Sequence, residues 1–343
     1  MADTENSAAV VVCANPVCRV AETGRCVDGL ELNACPQYGR KAEGGSHSAE
    51  LTGAGRAGIA LPSADTLTLA EASSVLRAGA SRVIAIIGPT DSGKTSLIAS
   101  LYDLFQAGPV ADIEFARSRT LQAFEYTCHD ARAASRRGTP HMNRTPRGKV
   151  RFYHLDVGGG AAGERLALVL GDRAGEEYRE LADDPSRATT LNELGRADSL
   201  TVLVDGERLI DSGARHNLHS EIILILQAMR DGGSLRDGLP LALVLTKLDA
   251  VQASPNAKRG ARDFGTLLSE VRRLFGDVLS EVREFQIAAS PKVDTVPRGT
   301  GVPQILLFWL GSAALPVTTE LPSPTFERAF ARLKPLAVAV NDG

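Results

Sequence analysis

The sequence predicts an α/β fold with a doubly wound, mostly parallel sheet and helices on both of its faces. From residue 82 onward, apolar runs that suit buried strands alternate with amphipathic helical segments. A small cysteine-rich module precedes this domain. We expect four parts: residues 1–39 (cysteine-rich module), 40–80 (linker and lead-in helix), 81–315 (α/β domain) and 316–343 (proline-rich tail with a short helix).

Composition excludes several classes of protein. The 343 residues are 43% hydrophobic, and 38 Lys and Arg against 41 Asp and Glu give a formal net charge of −3. This balance does not favour a nucleic-acid partner. The acidic start of the chain does not resemble a secretory signal, and the apolar run Ile305–Leu310 is too short to span a bilayer. We therefore expect a cytoplasmic protein with no membrane partner.

Four of the five cysteines are concentrated near the start of the chain. In a reducing compartment, such crowding favours a metal site over disulfides. Four thiolates would close a tetrahedral, structural zinc site, and the alternative is a disordered tail with idle thiols. The proposed ligands are Cys13, Cys18, Cys26 and Cys35. The fifth cysteine, Cys128, is expected to be buried on a helix.

The first strand, Val83–Ile87, leads directly into a phosphate-binding motif. Gly88-Pro-Thr-Asp-Ser-Gly93-Lys94-Thr95 has the Gly-x-x-x-x-Gly-Lys-Thr spacing between a strand and a helix. The glycines allow the backbone amides to point at phosphates, Lys94 can reach the terminal phosphates, and Thr95 can offer its hydroxyl to magnesium. The residues expected at this site are Gly88, Asp91, Ser92, Gly93, Lys94, Thr95 and Ser96.

A D-x-x-G pattern follows the next predicted strand. Lys149–Leu155 alternates in polarity and ends at Asp156-Val-Gly-Gly159. We expect Asp156 to hold magnesium through water and the Gly159 amide to contact a γ-phosphate. The segment from there to Asp184 is polar and acidic, which predicts a mobile loop and a helix. The arginine-rich stretch 131–151 is interpreted as a solvated surface rather than a docking site for an acidic partner.

Two further motifs indicate which base is bound. Thr246-Lys247-Leu-Asp249 follows the strand Leu239–Leu245, and a carboxylate there can accept two hydrogen bonds from guanine that adenine cannot supply. The Lys247 stem can stack over the base. Ser290, after the predicted strand Glu284–Ser290, is placed to approach guanine O6 through backbone amides. Other predicted elements are a helix at Leu67–Leu76, a strand at Leu200–Val204, and helices at Asn217–Met229, Phe264–Val278 and Pro303–Leu310.

Together these motifs resemble the TRAFAC class of GTPases over roughly residues 81–312. Gly88–Tyr102 and Ser118-Arg-Thr120-Leu-Gln-Ala-Phe are similar to the bacterial double-GTPase group, which is associated with predicted multi-gene conflict or defence systems. The resemblance implies a GTP-dependent conformational switch. It also implies a threonine that closes on magnesium and γ-phosphate, for which Thr120 is the first choice and Thr145 the second.

The expected function is therefore a magnesium-dependent, GTP-binding and GTP-hydrolysing switch that regulates a partner in a bacterial multi-gene system. The alternative is an ATPase, or a nucleotide-locked scaffold with incidental turnover. Gly160 follows Gly159, so no glutamine orients a water and intrinsic hydrolysis should be slow. Arg117 and Arg119 flank the expected switch and could act as arginine fingers in cis, although long arginine side chains on loops are more often simply solvated. A protein partner or a second copy of the chain is expected to read the switch loops.

Overall fold

The computed structural model describes residues 31–34, 38, 64–136, 145, 147–148, 150–158, 165–292 and 296–311. The chain divides into two compact units, Met1–Leu61 and Pro62–Gly343. In the first unit, the described part comprises Tyr38 and Glu31 with the 3-10 turn Leu32–Ala34. All four cysteines of the predicted zinc module lie outside the described residues, so the zinc site stays a prediction.

The described part of the second unit alternates strands and helices. The strands are β1 (Ser81–Ile87), β2 (Glu114–Arg117), β3 (Arg151–Gly158), β4 (Leu166–Asp172), β5 (Ser199–Val204), β6 (Leu239–Leu245) and β7 (Leu279–Gln286). The helices are α1 (Leu69–Ala78), α2 (Lys94–Ala107), α3 (Leu121–Arg136), α4 (Gly175–Asp183), α5 (Asn192–Arg196), α6 (Gly206–Ile210), α7 (Arg215–Asp231), α8 (Leu248–Ala253), α9 (Ala257–Phe275) and α10 (Val302–Gly311). None of these helices is long and apolar enough to cross a membrane.

The seven strands form one sheet in the order β2-β3-β4-β1-β5-β6-β7. β4, β1, β5, β6 and β7 are parallel, whereas β3 is antiparallel to both of its neighbours. The parallel strands therefore end together at one side of the sheet, which we call the carboxyl edge. Ligands of open α/β sheets bind at this edge.

Both faces of the sheet are covered, as the continuous apolar strands predict. Along β1, Ala85 and Ile87 belong to the core beneath α4, α7 and α9, whereas Ile84 and Ile86 belong to the core beneath α2, α3 and α10. All four side chains are fully buried. Burying an isoleucine contributes about 1.5–3 kcal/mol, so β1 anchors both layers. The indole of Trp309 on α10 is buried and donates to Thr201 Oγ1 of β5 at 2.9 Å.

One strand next to β1 is absent from the sequence prediction. The segment from Asp156 to Asp184 was expected to form a loop and a helix; Leu166–Asp172 instead forms β4 between β1 and β3, and the expected helix follows it at Gly175–Asp183. The five apolar residues from Leu166 to Leu170 fit a strand that is covered on both faces. The last strand also lies earlier than predicted, at Leu279–Gln286. The predicted strand Leu239–Leu245 is confirmed.

Candidate functional site

The loop between β1 and α2, residues 88–93, is named the phosphate loop. Gly88 has a φ of 155°, and a Cβ atom there would lie 2.7 Å from Ser92 Oγ and 3.0 Å from the Leu203 carbonyl oxygen. Asp91 and Gly93 have φ angles of 61° and 95°, in the left-handed region. The backbone therefore curls tightly before α2 begins at Lys94. This is the geometry that turns backbone amides toward an anion.

Lys94 is held across the phosphate loop. Its Nζ donates to the carbonyl oxygens of Gly88 and Pro89 at 2.9 and 2.8 Å, and the residue is 6% exposed. Burial lowers the pKa of Lys94, while the nearby Asp172 acts in the opposite direction. A buried ammonium group at the start of a helix provides the positive charge that terminal phosphates require.

Two threonine hydroxyls converge on one buried carboxylate beside Lys94. Thr95 Oγ1 donates to Asp172 Oδ2 at 3.0 Å, and Thr145 Oγ1 donates to the same oxygen at 3.2 Å. Thr95 Oγ1 and Thr145 Oγ1 are 3.4 Å apart. Burial raises the pKa of Asp172, and Lys94 together with these two hydrogen bonds opposes that rise. Asp172 ends β4, and Thr95 is the second residue of α2.

This cluster fits a magnesium ion. Asp172 is 1% exposed, and its Oδ1 atom has no hydrogen-bond partner among the described residues. A buried carboxylate oxygen without a partner is costly unless a cation or water satisfies it. Magnesium is bound by few protein oxygens together with phosphate oxygens and water.

The structure does not bring Asp156 to this site. Asp156 pairs with Ala167 in the sheet, and Ala167 pairs with Ser81 at the start of β1. The phosphate loop follows the other end of β1. The prediction that Asp156 holds magnesium is therefore corrected, because β3 runs antiparallel and delivers its last residues to the opposite edge. The carboxylate that contacts Thr95 at the carboxyl edge is that of Asp172.

At that opposite edge Asp156 has other partners. Its Oδ1 lies 2.9 Å from His154 Nε2, and its Oδ2 accepts a hydrogen bond from Arg117 Nε at 2.5 Å. The Arg119 amide donates to His154 Nδ1 at 3.0 Å. Because Nδ1 accepts, the neutral ring donates from Nε2 to Asp156. Burial lowers the pKa of His154, which favours this neutral form.

Of the two threonines considered for the magnesium contact, the structure brings Thr145 and not Thr120 to Thr95. Thr120 is fully buried before α3, and its hydroxyl accepts from the His154 amide at 3.0 Å. Its contacts thus tie α3 to β3. Gly159 and Gly160 lie outside the described residues.

A second D-x-x-G sequence, Asp172-Arg173-Ala-Gly175, occupies the position that was expected for the first. A Cβ atom at Gly175 would lie 2.4 Å from the Thr90 amide nitrogen and 2.6 Å from the Pro89 carbonyl carbon. Only glycine allows the chain to approach the phosphate loop this closely. Sequence reasoning missed this motif, although an apolar run ending in Asp-x-x-Gly was visible at residues 166–175.

Arg173, inside this motif, is held by two buried glutamates. Its Nε and Nη2 donate to Glu193 at 2.5 and 2.9 Å, and its Nη1 donates to Glu177 Oε2 at 2.6 Å. Burial alone would lower the pKa of Arg173, but the hydrogen bonds to Glu193 and Glu177 raise it. The other Glu177 oxygen accepts from the Gly148 amide at 2.9 Å. Glu177 thus connects the Thr145 segment to the second D-x-x-G.

The base motif, Thr246–Asp249, follows β6 and lies against the phosphate loop. A Cβ atom at Gly93 would lie 3.9 Å from Thr246 Cβ. Lys247 adopts a left-handed conformation with a φ of 53°. Asp249 is 4% exposed, and its Oδ2 accepts from the Lys292 amide at 2.9 Å. The structure thus places the predicted base motif and phosphate loop side by side.

The segment 288–292 lies beside the base motif. The Leu248 amide donates to the Ile287 carbonyl oxygen at 3.0 Å, so this segment starts against α8. Ser290 is half-buried within it. The Ala288 amide is already used, since it donates to the Thr300 carbonyl oxygen at 3.1 Å. Residue 291 is a proline without an amide hydrogen, and the Lys292 amide donates to Asp249, so the amides of Ala289 and Ser290 remain for a base oxygen in this segment.

The chain is similar to solved structures and matches a family model. One similar solved structure is the crystal structure of the bacterial selenocysteine-specific elongation factor EF-Sec, which is 14% identical with a TM-score of 0.33. The aligned part covers 68% of this chain but only 28% of that one. A TM-score this low supports no conclusion about function. No curated protein matches the sequence.

Residues 82–310 match the family model described as Double-GTPase 2. The match spans β1, the phosphate loop, both D-x-x-G sequences and the base motif. It confirms the resemblance to double-GTPases that the motifs indicated. Because it covers more than half of the sequence, the chain belongs to the Double-GTPase 2 family.

Proposed function

We propose that the chain is a magnesium-dependent GTP-binding switch that hydrolyses GTP to GDP and phosphate. One observation carries this proposal. Lys94, Thr95 and Asp172 meet at the carboxyl edge of the sheet, and the contact of Gly93 with Thr246 joins them to the base motif. This proximity supports a single nucleotide site in which the phosphate loop binds the phosphates and Asp249 reads the base.

Each residue has a defined role toward the nucleotide. The phosphate-loop amides and Lys94 bind and orient the phosphates, and the Asp249 carboxylate accepts hydrogen bonds from the base. Thr95, Asp172 and Thr145 would hold magnesium, which would supply positive charge as negative charge spreads over the γ-phosphate oxygens. The Gly175 amide is our candidate backbone donor to the γ-phosphate, because the chain at Gly175 passes close to Pro89 and Thr90 of the phosphate loop.

The base assignment predicts a change of specificity on Asp249→Asn. Guanine presents donors at N1 and N2, whereas xanthine has a carbonyl oxygen at C2 that an amide can satisfy. We expect GTP binding to weaken by about 1.5–3 kcal/mol, because a hydrogen bond to a charged group is lost. Affinity for xanthosine triphosphate should rise. Calorimetric titration with GTP and with xanthosine triphosphate measures this change of preference as the ratio of the two dissociation constants.

Asp277→Asn provides the matched control for that experiment, because the Asp277 side chain is 59% exposed and pairs with Arg230 at the surface. It should leave both affinities unchanged. Equal affinity of the wild-type protein for ATP and GTP would refute the guanine assignment and support the alternative of an ATPase.

Intrinsic hydrolysis should be slow, because Arg117, Arg119 and Arg173 each bind another side chain of the domain. Arg117 is bound to Asp156 and the Arg119 side chain to Ser74, so neither of the predicted arginine fingers reaches the phosphate loop. Arg173 is held by Glu193 and Glu177. Glu176, rather than glutamine, follows Gly175. An added arginine finger is typically worth 10³–10⁵ in rate, and none of the described arginines named above is placed to supply it.

We therefore expect single-turnover GTP hydrolysis by dilute protein to be far slower than one per second, and to accelerate when a protein partner or a second copy orders the loops. Quenched single-turnover assays over a range of protein concentrations measure both effects. A rate of about one per second or faster, unchanged by concentration, would show that the chain already contains the full catalytic set. The partner in a bacterial multi-gene system remains part of this proposal.

A further inference from the structure

Two lysines beside the base motif share one glutamate. Glu207 Oε2 accepts from Lys247 Nζ at 2.8 Å, and Glu207 Oε1 accepts from Lys292 Nζ at 2.5 Å. Lys247 belongs to the base motif after β6, whereas Lys292 ends the segment that follows β7. The two carboxylate oxygens of Glu207 therefore bridge two loops that are separate in sequence.

Glu207 stands on an element that is fixed against the base motif. It lies in the first turn of α6, where Asp205 Oδ1 accepts from the Glu207 amide at 2.9 Å. A Cβ atom at Gly206 would lie 2.3 Å from the Thr246 carbonyl oxygen and 2.6 Å from a Val251 methyl carbon. The start of α6 therefore packs closely against the base motif, with room at position 206 for glycine only.

Charge complementarity supports the bridge. Burial alone would raise the pKa of Glu207, but the hydrogen bonds from Lys247 and Lys292 lower it, so the carboxylate is charged at neutral pH. Asp205 Oδ2 accepts from Lys247 Nζ as well, at 2.9 Å. The ammonium group of Lys247 thus binds two carboxylates. These contacts fix the direction of the aliphatic part of its side chain, which would stack over the base.

The bridge, which consists of Glu207 with Lys247 and Lys292, also contacts Asp249, the carboxylate proposed to read the base. Asp249 Oδ2 accepts from the Lys292 amide at 2.9 Å, so the position of Lys292 sets one oxygen of Asp249. We propose that Glu207 is a specificity-positioning residue. By binding both lysines it holds the Thr246–Asp249 motif and the 288–292 segment at the spacing that orients Asp249. This inference rests on the proposed binding of guanine nucleotide.

The test compares GTP with inosine triphosphate, which lacks the 2-amino group that Asp249 would read. Glu207→Gln removes the charge and keeps the shape. We expect the preference for GTP over inosine triphosphate to fall toward unity, and labelled GDP to dissociate about three- to tenfold faster, as loss of two partly exposed ion pairs implies. Glu281→Gln is the matched control, since Glu281 pairs with Arg283 on the edge strand β7 and should change neither value.

A double-mutant cycle then tests the bridge itself. If Glu207 acts through Lys292, the effects of Glu207→Gln and Lys292→Met on GDP dissociation will be non-additive. Additive effects, or a wild-type preference in a folded Glu207→Gln protein, would overturn the inference while leaving guanine binding intact. Failure of the wild-type protein to prefer GTP over ATP would instead overturn the proposed function, and the bridge with it. Trp309 fluorescence on denaturant titration verifies that each variant is folded.

Discussion

The Lys94→Ala protein should fold normally and fail to bind GTP or GDP. The hydrogen bonds of Lys94 Nζ go to the Gly88 and Pro89 carbonyl oxygens of the phosphate loop, and Lys94 is not one of the hydrophobic side chains that form the two cores. What is lost is the buried positive charge for the phosphates. Truncating one partner of a buried charge pair costs about 2–5 kcal/mol, or roughly 30- to 5,000-fold in affinity, and a multiply charged phosphate chain puts the effect at the upper end.

Calorimetry with GTP and GDP measures this loss, and Lys258→Ala on the exposed side of α9 is the control for removing a lysine. The buried Trp309 reports on folding of both variants in the same samples. Wild-type GTP affinity in a folded Lys94→Ala protein would contradict the assignment of the phosphate loop.

Asp172→Asn should abolish the magnesium dependence of nucleotide binding, whereas Asp156→Asn should preserve it. The Asp172 oxygens lie beside Thr95 and Thr145, and one of them is buried without a hydrogen-bond partner in the described part of the chain. An amide is a much weaker magnesium ligand than a carboxylate. Hydrolysis should fall by at least about a hundredfold in this variant, because the charge of the metal is worth several kcal/mol in the transition state.

GTP affinity is measured with magnesium and with excess chelator for the wild-type protein and both variants. Wild type and Asp156→Asn should lose affinity on chelation, and Asp172→Asn should bind weakly in both conditions. The assignment of Asp172 would be refuted if Asp172→Asn retained the magnesium response and Asp156→Asn lost it.

The phosphate loop and the base motif can be predicted from the sequence, because each follows its strand without a break. Val83–Ile87 and Leu239–Leu245 are continuous apolar runs, and each leads directly into a polar motif. A buried parallel strand delivers the residues that follow it to the carboxyl edge. The phosphate loop and the base motif therefore appear in the structure where the sequence places them.

The magnesium-binding acid could not be identified in this way. A D-x-x-G sequence occurs twice, at Asp156 and at Asp172, and the motif does not reveal the direction of the strand before it. Lys149–Leu155 alternates in polarity, which is more typical of antiparallel strands, whereas Leu166–Leu170 is a continuous apolar run. That contrast favours Asp172 over Asp156. Nothing local distinguishes Thr145 from Thr120, since their difference depends on tertiary contacts alone. β2 spans only Glu114–Arg117, too short for a periodic signal.

The antiparallel direction of β3 also couples the chain around Thr145 to the Asp172 motif. Arg151, the first residue of β3, is paired directly with Asp172, the last residue of β4. The chain around Thr145 therefore leads into β3 at the same end of the β3–β4 pair at which the chain leaves β4 for the Asp172 motif. Hydrogen bonds to β2 and β1 hold this pair on both sides. Because Arg151 and Asp172 are paired directly, a displacement of either segment would be passed to the other, and we expect the two to move together.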